Sequence, residues 1–322
     1  MKICPSCGSP FEGPVWRCPR CLWEPAQFCG IPLLGIGDNA ARDGFVPEYF
    51  QPLEALESDY FWFTARNNLV LWVASRYFPF AGVILDLGCG TGLMLTGMER
   101  VYPRAFLYGA DLYPEALVLA SRRLERAILL QTDIRSLPFE HEFDLIGIFD
   151  VLEHIEDDEA VLGGINRALV PGGGLLMTVP QHPKLWSRQD EHSHHVRRYM
   201  ASELKAKLIK CGFKVVFETS FVSILFPFMA LSRLLKGRLS KLSFSKWIKD
   251  DPMAELKMPR MLNRLFGRLM SIELSIIKSG VSLPFGGSLL LAAVKNGDVA
   301  RPDGGQTGQV SSKSHAQMGH NE

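Results

Sequence analysis

Charge of one sign is missing from this chain. In 322 residues, 35 lysines and arginines stand against 34 acids, a net charge of +1 at neutral pH. Nothing draws the whole surface toward polyphosphate, so nucleic-acid binding would need a local patch. Long apolar runs are missing too. The longest, Phe221 to Leu235, is broken by Pro227 and Arg233 and falls short of the roughly 20 residues that span a bilayer. That disfavours a transmembrane segment and leaves contact with a membrane surface open. No basic n-region leading into an apolar h-region is visible at the start, so the expectation is a protein that is not exported. A secreted disulfide framework is lacking as well, because the seven cysteines leave one unpaired by arithmetic. Thiols free for metal in a reducing cytoplasm fit that usage. There are no internal repeats.

What is present is a globular composition, 47% hydrophobic and 21% charged, long enough for one large domain and a small module. Four of the cysteines fall in the first 21 residues as Cys4-x2-Cys7 and Cys18-x2-Cys21. Two such pairs ten residues apart offer four thiolates to a tetrahedral structural Zn2+ with no open position. Cys29, Cys89 and Cys211 lie outside the pattern and read as packing residues. The head carries Lys2, Arg17 and Arg20 against Glu12 and Glu24, with Phe11, Trp16 and Trp23 as its aromatics. That is a poor stacking platform for RNA. A contact with another protein or with substrate is favoured over nucleic acid.

The expected organisation is a Cys4 module over 1–28, a Gly/Pro-containing linker over 29–57, a main domain over 58–296 and a polar, disordered tail over 297–322. Within the main domain Trp62, Arg66, Leu69, Val70, Val73 and Tyr77 recur at helical spacing. Strands and helices then alternate: VILDL, LMLTGMERV, FLYGADL, PEALVLASRRLERA, AILLQTDI, FDLIGIF, DEAVLGGINRA and GLLMTVP. Continuous apolar strands alternating with helices predict a parallel sheet covered on both faces. The polar stretch QHPKLWSRQDEHSHHVRRYM reads as a functional loop, and SELKAKLIKCG as a helix with Ser202 as N-cap. FKVVFETSF and GSLLLAAVKN are strand-like.

The strongest local signal is DLGCGTG, with glycines at 88, 90 and 92 directly after a buried strand. Such a turn brings main-chain N–H groups against a ligand. Asp111 ends the next strand and Asp133 the third, where open α/β sheets bind ligands. The glycine spacing differs from the G-x-G-x-x-G of dinucleotide sites, which disfavours a nicotinamide dehydrogenase.

DLGCGTG, GADL, QTDI, FDLIGIFDVLEHIED and LVPGGGLLMTVP together resemble the class I S-adenosylmethionine-dependent methyltransferases. The resemblance implies a Rossmann-like, doubly wound α/β fold with a seven-stranded sheet whose last strand is antiparallel, and a helical insert over about 222–282. It also implies S-adenosylmethionine as cofactor. Asp86, Gly88, Cys89, Gly90 and Gly92 would line its methionine and ribose side. Asp111 and Leu112 would hold the ribose, Asp133 and Ile134 the adenine, and Phe149, Asp150 and Val151 the sulfonium region. Trp62 and Arg66 resemble an aromatic-arginine helix that precedes the core, the arginine facing the cofactor carboxylate.

Methyl transfer to oxygen or nitrogen needs alignment and a proton acceptor. His154, His194 and His195 are the candidate bases, and Glu191 with the loop histidines could instead hold a divalent metal. Arg197 and Arg198 could hold an anionic substrate group or be solvated. The insert is apolar and then basic, with Arg233, Lys236, Arg238, Lys241, Lys246 and Lys249. It reads as a lid, a dimer surface or an interfacial helix on the inner face of a membrane. The function expected is methyl transfer to a small-molecule, lipid-like or saccharide acceptor in the cytoplasm. The alternatives are an rRNA or tRNA methyltransferase and a non-catalytic cofactor-binding scaffold; the oligomeric state stays open.

Overall fold

A computed structural model of the chain describes residues 1–35, 47–227 and 258–297. The head holds a two-stranded ladder, β1 (Lys2–Ile3) with β2 (Pro10–Phe11), and the short strands β3 (Ala26–Phe28) and β4 (Ile31–Leu33) follow. Two helices, α1 (Phe50–Glu57) and α2 (Phe61–Tyr77), lead into the alternating part. There β5 (Val83–Leu87), α3 (Leu93–Val101), β6 (Phe106–Asp111), α4 (Pro114–Arg123) and β7 (Ile128–Gln131) come first. They are followed by β8 (Phe143–Phe149), α5 (Asp158–Ala168) and β9 (Leu169–Pro180). The chain continues with α6 (Arg188–His192), α7 (Ala201–Lys210), β10 (Phe213–Phe221), α8 (Arg260–Lys278) and β11 (Ser288–Lys295).

The main sheet runs β10-β11-β9-β8-β5-β6-β7-β4-β3. β5 to β9 are parallel, while β11 lies antiparallel to both β9 and β10. The seven expected strands are all present with the expected last-strand direction. The period-2 alternation of side chains explains why the strands are apolar throughout. Leu85, Leu87, Ile146 and Ile148 face one layer with Val161 and Ile165 of α5 and Leu204 and Leu208 of α7. Ile84, Leu145 and Leu176 face the other, with Val70 and Val73 of α2, Leu95 and Met98 of α3, and Met270 of α8.

Three expectations change. The stretch 29–57 is more than a linker: β4 pairs with β7 and α1 packs Phe50 against Ala116 and Leu119 of α4. Its buried Ile31, Leu34 and Phe50 are too few and too scattered to show a period in the sequence. Ser202 is not an N-cap, because α7 begins at Ala201 with Met200 in that position and no side-chain cap. The insert is only partly described. Its second segment is the helix α8, whereas Arg233 to Lys249 lie outside the described residues.

The head is docked, not tethered. Ile3 donates its amide to the Pro138 carbonyl at 2.9 Å, and Lys2 bridges Phe139. Trp16 meets Phe139 edge-on, and Cys4, Phe11, Trp16 and Cys18 belong to the same apolar layer as Phe143 and Ile146. The geometry of the four-cysteine cluster is therefore coupled to the packing of the main domain.

Candidate active site

The parallel strands all deliver their carboxyl ends to one rim, where a cavity of about 550 Å3 opens, a size usual for small-ligand sites. After β5 the backbone turns through Gly88, Gly90 and Gly92, with φ of 80°, 52° and 78°, a region costly for residues with a Cβ. At Gly88 a Cβ would also stand 2.4 Å from a Val151 methyl, so glycine lets the ends of β5 and β8 approach. At Gly90 a Cβ would meet nothing within 4 Å, because that position opens on the cavity. The Gly90 amide donates to one Asp111 oxygen at 2.8 Å, and the Tyr113 amide donates to the other at 3.0 Å. Thr91 and Arg123 both donate to the buried Glu57, at 2.5 and 2.6 Å, which ties α1 to the glycine turn.

Asp86 sits one turn of chain before the glycines and is 1% exposed. One of its carboxylate oxygens has no hydrogen-bond partner among the described residues. Burial, opposed in part by Arg66, pushes its pKa up to about 7. Asp111 is also raised by burial, although amide donors hold it back. Arg66 comes from α2, donates to Asp150 at 2.7 Å and lies 5.0 Å over the Trp62 ring. Thr178 of β9 donates to the same Asp150 oxygen at 2.9 Å. The structure thus gives Arg66 an acidic partner in the chain itself. Asp133 accepts three hydrogen bonds from the Arg135 side chain and one from its amide.

Of the residues singled out in the sequence, Trp62, Arg66, Gly88, Gly90, Asp111, Leu112, Asp133, Ile134, Phe149, Asp150, Val151, His154 and His195 line this one cavity. Asp86, Cys89, Gly92 and His194 do not. Cys89 is buried beside Gly109, and Gly92 abuts Ala120 and Leu124 of the chain around α4. His194 is exposed, because the left-handed backbone at that residue (φ 55°) turns the chain between its neighbours. It is withdrawn as a base. Cys29 is exposed and so is no packing residue.

The polar loop contributes a group that the sequence reading missed. His195 places Nδ1 3.0 Å from Asp190, and Arg198 donates to the same Asp190 oxygen at 2.6 Å. Ser187 caps the other oxygen through its amide and hydroxyl. Burial would raise the Asp190 carboxyl, but the bonds from His195 and Arg198 outweigh it and hold it well below the usual range. Arg198 and Arg197 are therefore committed to the protein, Arg197 to Asp158 and the Glu156 carbonyl. His195 Nε2 lies 3.9 Å from Glu153, and its ring meets His154 edge-on at 4.8 Å. His154 is driven down to about 4 by burial and then by His195. Glu153 is pushed well above the carboxylate range by burial and the neighbouring Asp150. One atom of each, Glu153 Oε2 and His154 Nδ1, is buried without a partner among the described residues. Glu153, His154 and His195 offer ligand atoms within 4.8 Å of one another, so Glu153 takes the place expected for Glu191, which is exposed.

In the head, Cys4 and Cys21 sulfurs are 3.6 Å apart, as are those of Cys7 and Cys18, and all four lie within 4.8 Å. Four thiolates about 2.3 Å from a central zinc form a tetrahedron with edges of about 3.8 Å.

Residues 85–177 match the family described as "Methyltransferase domain". The fold is that of the class I methyltransferases. Trans-aconitate 2-methyltransferase of Methylobacterium nodulans is 33% identical over 120 residues, 37% of this chain and 44% of that protein. Ubiquinone biosynthesis O-methyltransferase of Psychrobacter cryohalolentis is 33% identical over 110 residues, 31% of this chain and 42% of its own length. The chain spans less than half the length of these curated relatives. Among solved structures, Haemonchus contortus phosphoethanolamine N-methyltransferase 2 in complex with S-adenosyl-L-methionine superposes with a TM-score of 0.50. It is 20% identical, over 79% of this chain and 61% of that one.

The glycine turn carries a pH signature through Asp86. Unfolded, this carboxyl loses its proton near 3.8; folded, it keeps it to about 7. Its folded pKa is raised, so its contribution is most favourable at low pH and declines as pH climbs from about 4 to 7. Asp86→Asn is expected to match the wild type near pH 4 and to exceed it in stability at pH 8, by at most roughly 4 kcal/mol. Urea unfolding at the two pH values measures this, and equal differences at both would contradict it.

Proposed function

We propose that the chain is an S-adenosylmethionine-dependent methyltransferase acting on an oxygen or nitrogen of a small-molecule, lipid-like or saccharide acceptor. One observation supports this above the others. A single cavity is walled on one side by the glycine turn with Asp111, Asp133 and Ile134, and on the other by His195 backed by Asp190.

The residues fit the cofactor. Asp86 lies behind the turn, outside the cavity lining, with a buried carboxylate oxygen that has no partner among the described residues, the kind of group that an ammonium reaching it would relieve. Each Asp111 oxygen accepts one amide and keeps a lone pair for a ribose hydroxyl. Asp133 and Ile134 line the same cavity and would face the adenine. When bound, S-adenosylmethionine supplies an electrophilic methyl on sulfur; the chain supplies alignment and removes a proton.

His195 is the base that this reading selects. Asp190, acceptor-only when ionised, fixes the proton on Nδ1 and leaves the Nε2 lone pair toward Glu153 and the cavity. His154, held neutral by burial and with its pKa near 4, is the weaker acceptor. The acceptor class rests on the curated relatives, which are named for a small organic acid and a quinone pathway. The RNA alternative is disfavoured by the head itself. Phe11 and Trp16 are buried against the main domain and are not presented for base stacking.

A second reading is favoured by one arrangement. Asp190 behind Nδ1 is how metal-bound histidines are usually oriented, and Glu153 Oε2 and His154 Nδ1 lack partners among the described residues. A divalent cation on Glu153, His154 and His195 would polarise the acceptor oxygen. The same proposal assigns a structural Zn2+ to Cys4, Cys7, Cys18 and Cys21.

Methyl-labelled cofactor incubated with a cellular small-molecule extract is expected to label a low-mass product. His195→Gln should lower that labelling by about 10²- to 10⁴-fold while cofactor binding persists. Labelling of RNA alone, or unchanged labelling in the variant, would overturn the reading, and dependence on added Mg2+ or Mn2+ would select its metal form. Elemental analysis of the full chain should find zinc that Cys4→Ser with Cys18→Ser loses. The same change should lower the melting temperature of the main domain, because Cys4 and Cys18 share its core; an unchanged melt would contradict that coupling.

A further inference from the structure

The helix α8 carries a surface that the methyl-transfer reading does not use. Its inward face is settled. Met270, Glu273 and Ile277 are buried, Phe266 meets Phe61 of α2 at 5.3 Å, and Asn263 bridges the Phe61 amide and the Asp59 carbonyl. Glu273 is the helix's single acid, and it accepts the Ser223 and Ile224 amides at 2.8 Å each. No acid of α8 is therefore left on its outer side.

The outer side divides into two stripes. At about 100° per residue, Met261, Leu265, Ile272 and Ile276 fall within about 60° of one another. Met261 is 84% exposed, Leu265 51% and Ile272 54%. Arg260, Arg264, Arg268 and Lys278 fall within about 80° on the adjoining stripe, and all four are exposed. The loop that follows exposes Val281 and Phe285 as well. No helix among the described residues is long and apolar enough to cross a membrane.

An exposed apolar stripe flanked on one side by cations, with its only acid turned inward, matches the interface of an anionic bilayer. A partner helix or second copy would be met by the apolar stripe but would need its own acids for the arginines. We propose that α8 docks the protein on anionic phospholipid, the apolar stripe entering the headgroup boundary and the basic stripe lying on the phosphates. α8 packs on α2, which supplies Phe61, Trp62 and Arg66 to the cavity, so the lipid face lies one helix away from the site. This surface stands apart from the methyl-transfer proposal, since vesicle binding needs neither cofactor nor turnover.

The test is cosedimentation of the full chain with vesicles of phosphatidylcholine alone or mixed with phosphatidylglycerol. Retention is expected on the mixed vesicles and should weaken with salt. Arg264→Gln with Arg268→Gln should reduce partitioning about thirtyfold, and Leu265→Ser with Ile272→Ser should release the protein at low salt too. All four positions are exposed, and an unchanged circular dichroism melt verifies folding of the variants. Three results would overturn the proposal. One is no retention on the mixed vesicles. Another is retention unchanged in both double variants, which would move the contact to another surface such as the basic stretch Arg233 to Lys249. The third is a solution dimer that Leu265→Ser with Ile272→Ser dissociates, which would give the stripe to a second copy.

Discussion

Acid crowding at the carboxyl rim of the sheet is the constraint on which the site depends. Asp86 stands close enough to Asp111, and Glu153 to Asp150, for their charges to act on one another, and burial disfavours the charged forms of Asp86, Asp111 and Glu153. Arg66 answers Asp150 directly, and Asp86 and Glu153 only at a distance. Main-chain amides stabilise Asp111, but Asp86 keeps an oxygen with no partner among the described residues. A rim built in this way favours a ligand that brings positive charge and hydroxyl donors. Burial and then Asp150 push the Glu153 carboxyl upward, and burial and then His195 drive His154 down to about 4, which is why the proposed proton acceptor is the histidine that has Asp190 behind it.

The rest of the architecture serves that rim from both faces. On one face α2 brings Trp62 and Arg66 over the strand ends, and α8 is laid across α2. On the other, α5 and α7 close the core together with the Cys-rich head. The head therefore works as part of the wall of the domain. Cys4, Cys18, Trp16 and Phe139 belong to one packed layer, so the zinc proposed there would act first on stability.

Much of this was legible before any coordinates, for a physical reason. Buried parallel strands must be apolar along their whole length, and the turn after β5 must hold glycines where φ is positive, so VILDLGCGTG declares both its strand and its ligand turn. Asp111 and Asp133 were legible because strand ends at a common rim follow from the alternation. The Asp190–His195 pair was not. It arises from a five-residue helix in a polar loop, where no period marks which of several charged residues turns inward. His194 looked equivalent to His195 in sequence, and a single left-handed residue separates their fates. Strand β4 and helix α1 were missed because each gains its stability from the sheet edge or from α4, and little from its own pattern.

The most direct measurement is a calorimetric titration of the full chain with S-adenosylmethionine at pH 6 and pH 8. The account predicts binding of one cofactor per chain, tighter at pH 8, with a proton released at the lower pH as Asp86 ionises against the ligand's ammonium. Asp111→Ala should weaken binding by at least about tenfold, the loss of one charge-assisted hydrogen bond. No binding, or binding that Asp111→Ala leaves unchanged, would contradict it.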